Sequence, residues 1–174
     1  MNYHNIERGS IVNGDGIRVV LWVSGCTHNC KNCQNPQTHD PESGIPFDSA
    51  AKEELFSILK DKYISGITFS GGDPLHPSNI AKVVSLILEI RETFPEKTIW
   101  VYTGRCIEDL IYNASIVGEY GRLDRLILEN IDVLVDGPYI EELSSVEYHW
   151  AGSTNQRVID MKKTLKTGTI YLHK

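Results

Sequence analysis

Four short apolar runs, at residues 17–23, 67–70, 99–102 and 131–135, alternate with segments whose apolar residues return every three or four positions. Runs so short, apolar and rich in β-branched residues read as strands buried on both faces. Between them, Asp48 can cap a helix reaching to about Tyr63, with Ala51, Leu55, Ile58 and Leu59 on one side. Pro77-Ser78 opens a second helix carrying Ile80, Val83, Val84, Ile87 and Ile90, with Pro95 just beyond its end. Residues 123–129 read as a third helix or its last turns. Such alternation predicts parallel strands joined by right-handed crossovers, with functional loops gathered at the strands' C-terminal ends. The distinctive residues stand there: Cys26, Gly71, Thr103 and Asp136 each follow a separate run within a few positions.

The 174 residues suit a single domain over 1–174, because two separate cores would each approach the size at which burial becomes marginal. A closed eight-stranded β/α barrel takes about 250 residues. The expected fold is therefore α/β, an incomplete TIM-like parallel barrel. Residues 157–174 add one or two short runs, Val158-Ile159 and Thr169-Ile170-Tyr171-Leu172. The formal charge of −6, with 23 acidic against 17 basic residues and no basic stripe, argues against nucleic acid as a partner. The first residues lack the apolar stretch of a signal peptide, and no run reaches the roughly 18 apolar residues of a membrane span. The expectation is a soluble, cytoplasmic chain with no membrane partner.

In a reducing compartment cysteines serve as metal ligands or reactive thiols rather than as disulfide partners. Cys26, Cys30 and Cys33 are separated by three and then two residues in a polar loop directly after the first run. Thiolates that close repel one another unless a cation holds them, and soft thiolates select iron–sulfur clusters, zinc or copper(I). A cubane cluster on three cysteines keeps one iron open. Structural zinc wants four closed ligands and could recruit His28 or His39 as the fourth. Cys106 stands apart and reads as a small buried residue near a strand end.

A three-then-two cysteine triplet after the first strand of an α/β chain resembles the radical S-adenosylmethionine superfamily. Further stretches narrow the resemblance: Asn13-Gly14-Asp15-Gly16-Ile17-Arg18, Ser24-Gly25-Cys26, Cys33-Gln34-Asn35 and Ser70-Gly71-Gly72-Asp73-Pro74-Leu75-His76-Pro77. So do Val101-Tyr102-Thr103-Gly104, Val133-Leu134-Val135-Asp136-Gly137 and Trp150-Ala151-Gly152-Ser153-Thr154-Asn155-Gln156. Together they are similar to the activating proteins of anaerobic ribonucleoside-triphosphate reductase, over about residues 1–156.

The resemblance implies that Cys26, Cys30 and Cys33 hold a 4Fe-4S cluster whose open iron chelates S-adenosyl-L-methionine. An electron from a donor such as flavodoxin would then release a 5′-deoxyadenosyl radical, which takes hydrogen from a glycine of the reductase's glycyl-radical subunit. It assigns cofactor contacts to Ser70, Gly71, Gly72 and Asp73, whose glycines allow close backbone approach, although the same stretch read alone is an ordinary turn. Many superfamily members carry glutamate at the position of Asp73, but aspartate matches the reductase activases. Members often place an aromatic residue before the third cysteine; with Asn32 there, adenine contacts fall to the backbone of Asn32, Cys33 and Gln34 or elsewhere. Thr103 and Asp136 are candidates for ribose or carboxylate contacts, against plain turn chemistry. His28 is either a donor behind the ligands or a solvated loop histidine, the reading its loop position favours. Arg157 reads first as a surface arginine, and a homodimer is left open. The alternatives are an activase of the pyruvate formate-lyase type, which is longer, and a non-catalytic zinc-binding module.

Overall fold

The computed structural model describes residues 1–174. Twelve elements follow in order: β1 (Asn2–Ser10), β2 (Arg18–Val23), β3 (Ile45–Pro46), α1 (Ser49–Leu59), β4 (Gly66–Gly71), α2 (Ile80–Thr93), β5 (Thr98–Tyr102), α3 (Ile107–Ala114), α4 (Glu119–Asn130), β6 (Val133–Asp136), β7 (Arg157–Asp160) and α5 (Met161–Thr167). The fold is mixed α/β, with seven strands in one sheet ordered β3-β1-β2-β4-β5-β6-β7.

The centre of the sheet is parallel, β2 with β4, β4 with β5 and β5 with β6. These four are the strands expected from the apolar runs. The flanks are not parallel: β1 runs antiparallel to both β2 and β3, and β7 antiparallel to β6. β3 and β7 end the sheet on opposite sides. The run at 169–172 forms no strand; it makes one bridge, Ile159 to Leu172, and hydrogen bonds from Asp160 N to Tyr171 O and from His173 N to Val158 O.

Because side chains alternate across a strand, the sheet has two unlike faces. Val19, Leu21 and Val23 of β2, Ile67 and Phe69 of β4, and Ile99 and Val101 of β5 join one core of 32 residues with the helices. In that core α1 contributes Leu55 and Leu59, α2 Val83, Ile87 and Ile90, and α4 Leu123 and Ile127. The intervening residues, Trp22, Ser70 and Tyr102, point the other way and line a cavity. Deeper on that face, Trp100, Val133, Val135 and Val158 form a second, small cluster.

Helix boundaries moved for local reasons. Asp48 caps α1 as expected, its Oδ1 accepting from Ala51 N at 2.9 Å, but the helix stops at Leu59 so that the chain can turn into β4. α2 begins at Ile80 rather than Pro77, and the Asn79 side chain at its N-cap makes no capping bond but donates to the Ser24 and Asp73 carbonyls at 2.7 and 2.9 Å. No helix is long and apolar enough to cross a membrane.

Candidate cofactor site

A cavity of about 810 Å³ opens at the C-terminal ends of the parallel strands and runs across the sheet face opposite the helices. Its wall brings together Cys26, Cys30, Cys33, Gln34, Ser70, Gly71, Gly72, Asp73 and Thr103. Nine of the eleven residues expected at the site thus meet on one surface, from the end of β4 and the loops after β2, β4 and β5.

The cysteine loop is shaped by its backbone. Gly25 N donates to Thr38 O at 2.7 Å and Cys26 N to His39 O at 3.0 Å, while Cys33 N reaches Cys30 O at 3.2 Å. Asn29 and Asn32, each just before a cysteine, hold positive φ of 48° and 51°. Asparagine tolerates this left-handed conformation better than most residues. All three thiols are free and partly exposed. Burial pushes the Cys26 thiol up; a backbone N–H at His28 opposes it, and Asp73, Cys30 and Cys33 add to the rise. Three thiolates in one small cavity therefore need a cation, and Asn35 N already donates toward Cys33 Sγ at 3.4 Å. A soft donor set of three sulfurs fits an iron–sulfur cluster with one open position. One polar atom on this wall also lacks a partner, the buried His39 Nε2.

The glycine strand end lies beside that loop. Asp73 N donates to Gly25 O at 2.8 Å, and Gly72 N to Val23 O at 2.8 Å. The Asp73 carboxylate, 4% exposed, accepts from Leu75 N at 2.8 Å, from Thr103 Oγ1 at 3.0 Å and from His28 Nε2 at 2.7 Å. His28 is therefore not a solvated loop residue. Its pKa is raised, first by the hydrogen bond to Asp73.

Two expected residues stand off the wall. Asn32 turns outward and its Nδ2 binds Glu141. Asp136 is buried: Arg157 Nε donates to Oδ1 at 3.0 Å and Ile107 N to Oδ2 at 2.8 Å, so both oxygens serve the fold. The reading of Arg157 as a plain surface residue fails with it, since Arg157 also grips Glu108 at 2.7 and 2.8 Å. Cys106 is partly exposed rather than buried, at the N-terminus of α3. The ligand atoms of Cys106, Glu108 and Asp136 lie within 4.8 Å of one another, but the Arg157 guanidinium already supplies the positive charge between the two carboxylates.

The second lip of the cavity is formed by Tyr139, Tyr148, His149, Trp150 and Gly152, of which sequence reasoning singled out the stretch holding Trp150 and Gly152 and missed Tyr139, Tyr148 and His149. It is clamped across by Gln156, whose Oε1 accepts from Gly152 N at 2.9 Å while Nε2 donates to Gly137 O at 3.0 Å. The Trp150–Gln156 stretch was the available signal, and the aromatics before it give the cavity flat apolar surfaces that position 32 does not supply.

Residues 12–159 match a family model described as a 4Fe-4S single cluster domain. The chain is 41% identical over 160 residues to the anaerobic ribonucleoside-triphosphate reductase-activating protein of Escherichia coli K12, covering 91% of this chain and 97% of that one. The protein of the same name from Haemophilus influenzae is 37% identical over 158 residues, with 90% and 96% covered. That of Enterobacteria phage T4 is 39% identical over 158 residues, with 91% and 93% covered. The chain belongs to the anaerobic ribonucleoside-triphosphate reductase-activating proteins. In this chain, a match to a 4Fe-4S family model and a three-thiol cavity wall coincide, which favours a cluster over a closed zinc site.

Proposed function

We propose that the chain is an activase of anaerobic ribonucleoside-triphosphate reductase and a radical S-adenosylmethionine oxidoreductase, working as a single domain over residues 1–174. The observation that carries this reading is the shared wall on which Cys26, Cys30 and Cys33 face Ser70, Gly71, Gly72, Asp73 and Thr103. The cysteines hold the cluster, and the neighbouring strand end, with Cys33 and Gln34, seats S-adenosyl-L-methionine. When bound, this pair supplies reductive cleavage of the sulfonium carbon–sulfur bond, yielding methionine and a 5′-deoxyadenosyl radical that takes hydrogen from a glycine of the reductase.

The remaining tasks fall to the chain itself. Gly71 and Gly72 let the strand end lie against neighbouring backbone, since an added Cβ would stand 2.7 Å from Val23 O at the first and 2.6 Å from Gly25 O at the second. Thr103 and Asp73 hold each other rigid at the cavity floor. Tyr139, Tyr148 and Trp150 offer apolar faces that exclude water. No acid–base pair is required, because the cofactors carry the demanding chemistry.

The names of the relatives support anaerobic ribonucleoside-triphosphate reductase as the partner, and the proposed chemistry directs the chain to its glycyl-radical subunit. A four-stranded parallel centre with helices on one face, in a sheet that does not close on itself, is consistent with an incomplete β/α barrel, and an open side would let a peptide loop reach the cavity. We assign a flavodoxin-type electron donor and a cytoplasmic location to the same reading, and leave a homodimer open.

The test is anaerobic reconstitution with iron and sulfide, reduction, addition of S-adenosyl-L-methionine and chromatography for 5′-deoxyadenosine. Its appearance, followed by a glycyl radical signal once reductase is added, is the expected result. A fully iron-loaded chain that releases none would overturn the cofactor assignment, and stoichiometric zinc in place of iron would return the zinc-binding module.

A further inference from the structure

We infer that His28 is a positioning residue that ties the cysteine loop to the glycine strand end, setting the register in which a cofactor seated at Ser70–Asp73 meets the cluster ligands. This rests on the function proposed above and adds a residue to it.

His28 lies between Cys26 and Cys30, and its Nε2 donates to Asp73 Oδ2 at 2.7 Å. It is the one side chain of residues 26–33 that hydrogen-bonds into the strand end; Lys31 and Asn32 bind the opposite lip at Glu141 and Glu142. The acceptor is itself fixed. Asp73 takes Thr103 Oγ1 at 3.0 Å and Leu75 N at 2.8 Å, so one buried carboxylate joins the loop after β2 to the ends of β4 and β5.

A second, independent feature is the surface against which the imidazole packs. A Cβ added at Gly104 would lie 2.6 Å from His28 Cγ and Nε2. The backbone there is not left-handed, so an added methyl would displace the ring without straining the backbone itself. The two ends of the tie are therefore matched: a carboxylate to hold the ring and bare backbone to make room for it. A hydrogen bond to a charged, buried group is among the stronger ones a side chain makes, and its loss leaves the carboxylate partly unsatisfied.

Full-length His28→Ala, His28→Gln and Gly104→Ala proteins test this, each with and without the reconstituted cluster. Three quantities are read: iron per chain, hydrogen exchange at the Gly25, Cys26 and Cys33 amides, and affinity for S-adenosyl-L-methionine followed through the cluster's electron paramagnetic resonance. In His28→Ala, iron content should hold while loop exchange speeds up and affinity falls, each by about tenfold or more. Gly104→Ala should do the same by displacing the ring, and His28→Gln, which replaces the donor at similar reach, should restore both. Unchanged exchange and affinity in His28→Ala, or no recovery with glutamine, overturns the tie. If the unaltered protein binds no S-adenosyl-L-methionine, the proposed function fails, and the exchange rates alone still decide whether His28 holds the loop.

Discussion

Arg157 Nε donates to Asp136 Oδ1 at 3.0 Å across the antiparallel register in which these two residues of β6 and β7 face each other. Asp136 is 1% exposed, and its other oxygen caps α3 through Ile107 N. Removing the guanidinium strands a buried carboxylate. Arg157→Ala should cost about 2–3 kcal/mol, below the roughly 3–5 of a fully buried pair because Arg157 itself keeps 31% exposure. A urea midpoint equal to that of the parent would show that β7 is held by its backbone ladder alone.

The same guanidinium acts on Glu108. The hydrogen bond from Arg157 is the main cause that holds its carboxyl down at about 2 from an ordinary 4.5. A carboxylate with a lowered folded-state pKa contributes stability above its unfolded value and loses it as the pH falls toward the folded one. The contribution should thus be complete above about pH 4.5 and fade toward pH 2. Glu108 is 57% exposed, so it stays within about 1 kcal/mol. Denaturation of Glu108→Gln against the parent should show a deficit at pH 6 that shrinks by pH 3; a deficit independent of pH would assign the effect to packing.

The parallel centre was legible because its strands are short apolar runs between helices of clear period. The flanks were not. β1 has Tyr3 and Ile6 buried, but register shifts between Tyr3 and Asn5 and between Arg8 and Ser10 break the period-two pattern that would have marked it. α3 has no capping side chain of its own; the acceptor for Ile107 N comes from Asp136, 29 residues on. A contact of that kind leaves no local trace in a sequence.

The site divides the same way. Cys26, Cys30, Cys33 and the stretch from Ser70 to Asp73 were readable as compact motifs at strand ends. His28 was misjudged because loop position predicts solvent, whereas its partner, Asp73, lies 45 residues away. Asp136 shared the strand-end signature of the others, yet its oxygens are taken by Arg157 and Ile107. A strand-end location selects candidates, and side-chain partners decide among them.

The cysteine assignment is separable by substitution. Cys30→Ala should abolish the visible absorbance of the cluster and its iron content together. Cys106→Ala should leave both largely intact, since that thiol sits at the start of α3 beside Glu108 and Asp136. Loss of iron in the Cys106 variant would mean that the ligand set is misassigned.

Gly72 tests how closely the cysteine loop rests on the strand end. A Cβ there would stand 2.6 Å from Gly25 O and 3.0 Å from Thr38 O. Those carbonyls are the acceptors that seat the loop, Gly25 O for Asp73 N and Thr38 O for Gly25 N. Both are backbone and cannot rotate aside, so an added methyl must lift the loop from the strand. Gly72→Ala should destabilise by about 1–3 kcal/mol, the usual range for overpacking, lowering the Tm by several degrees. It should also retain less iron through gel filtration, because the displaced loop carries all three proposed ligands. A variant that melts and loads like the parent would show that the loop and the strand end are positioned independently.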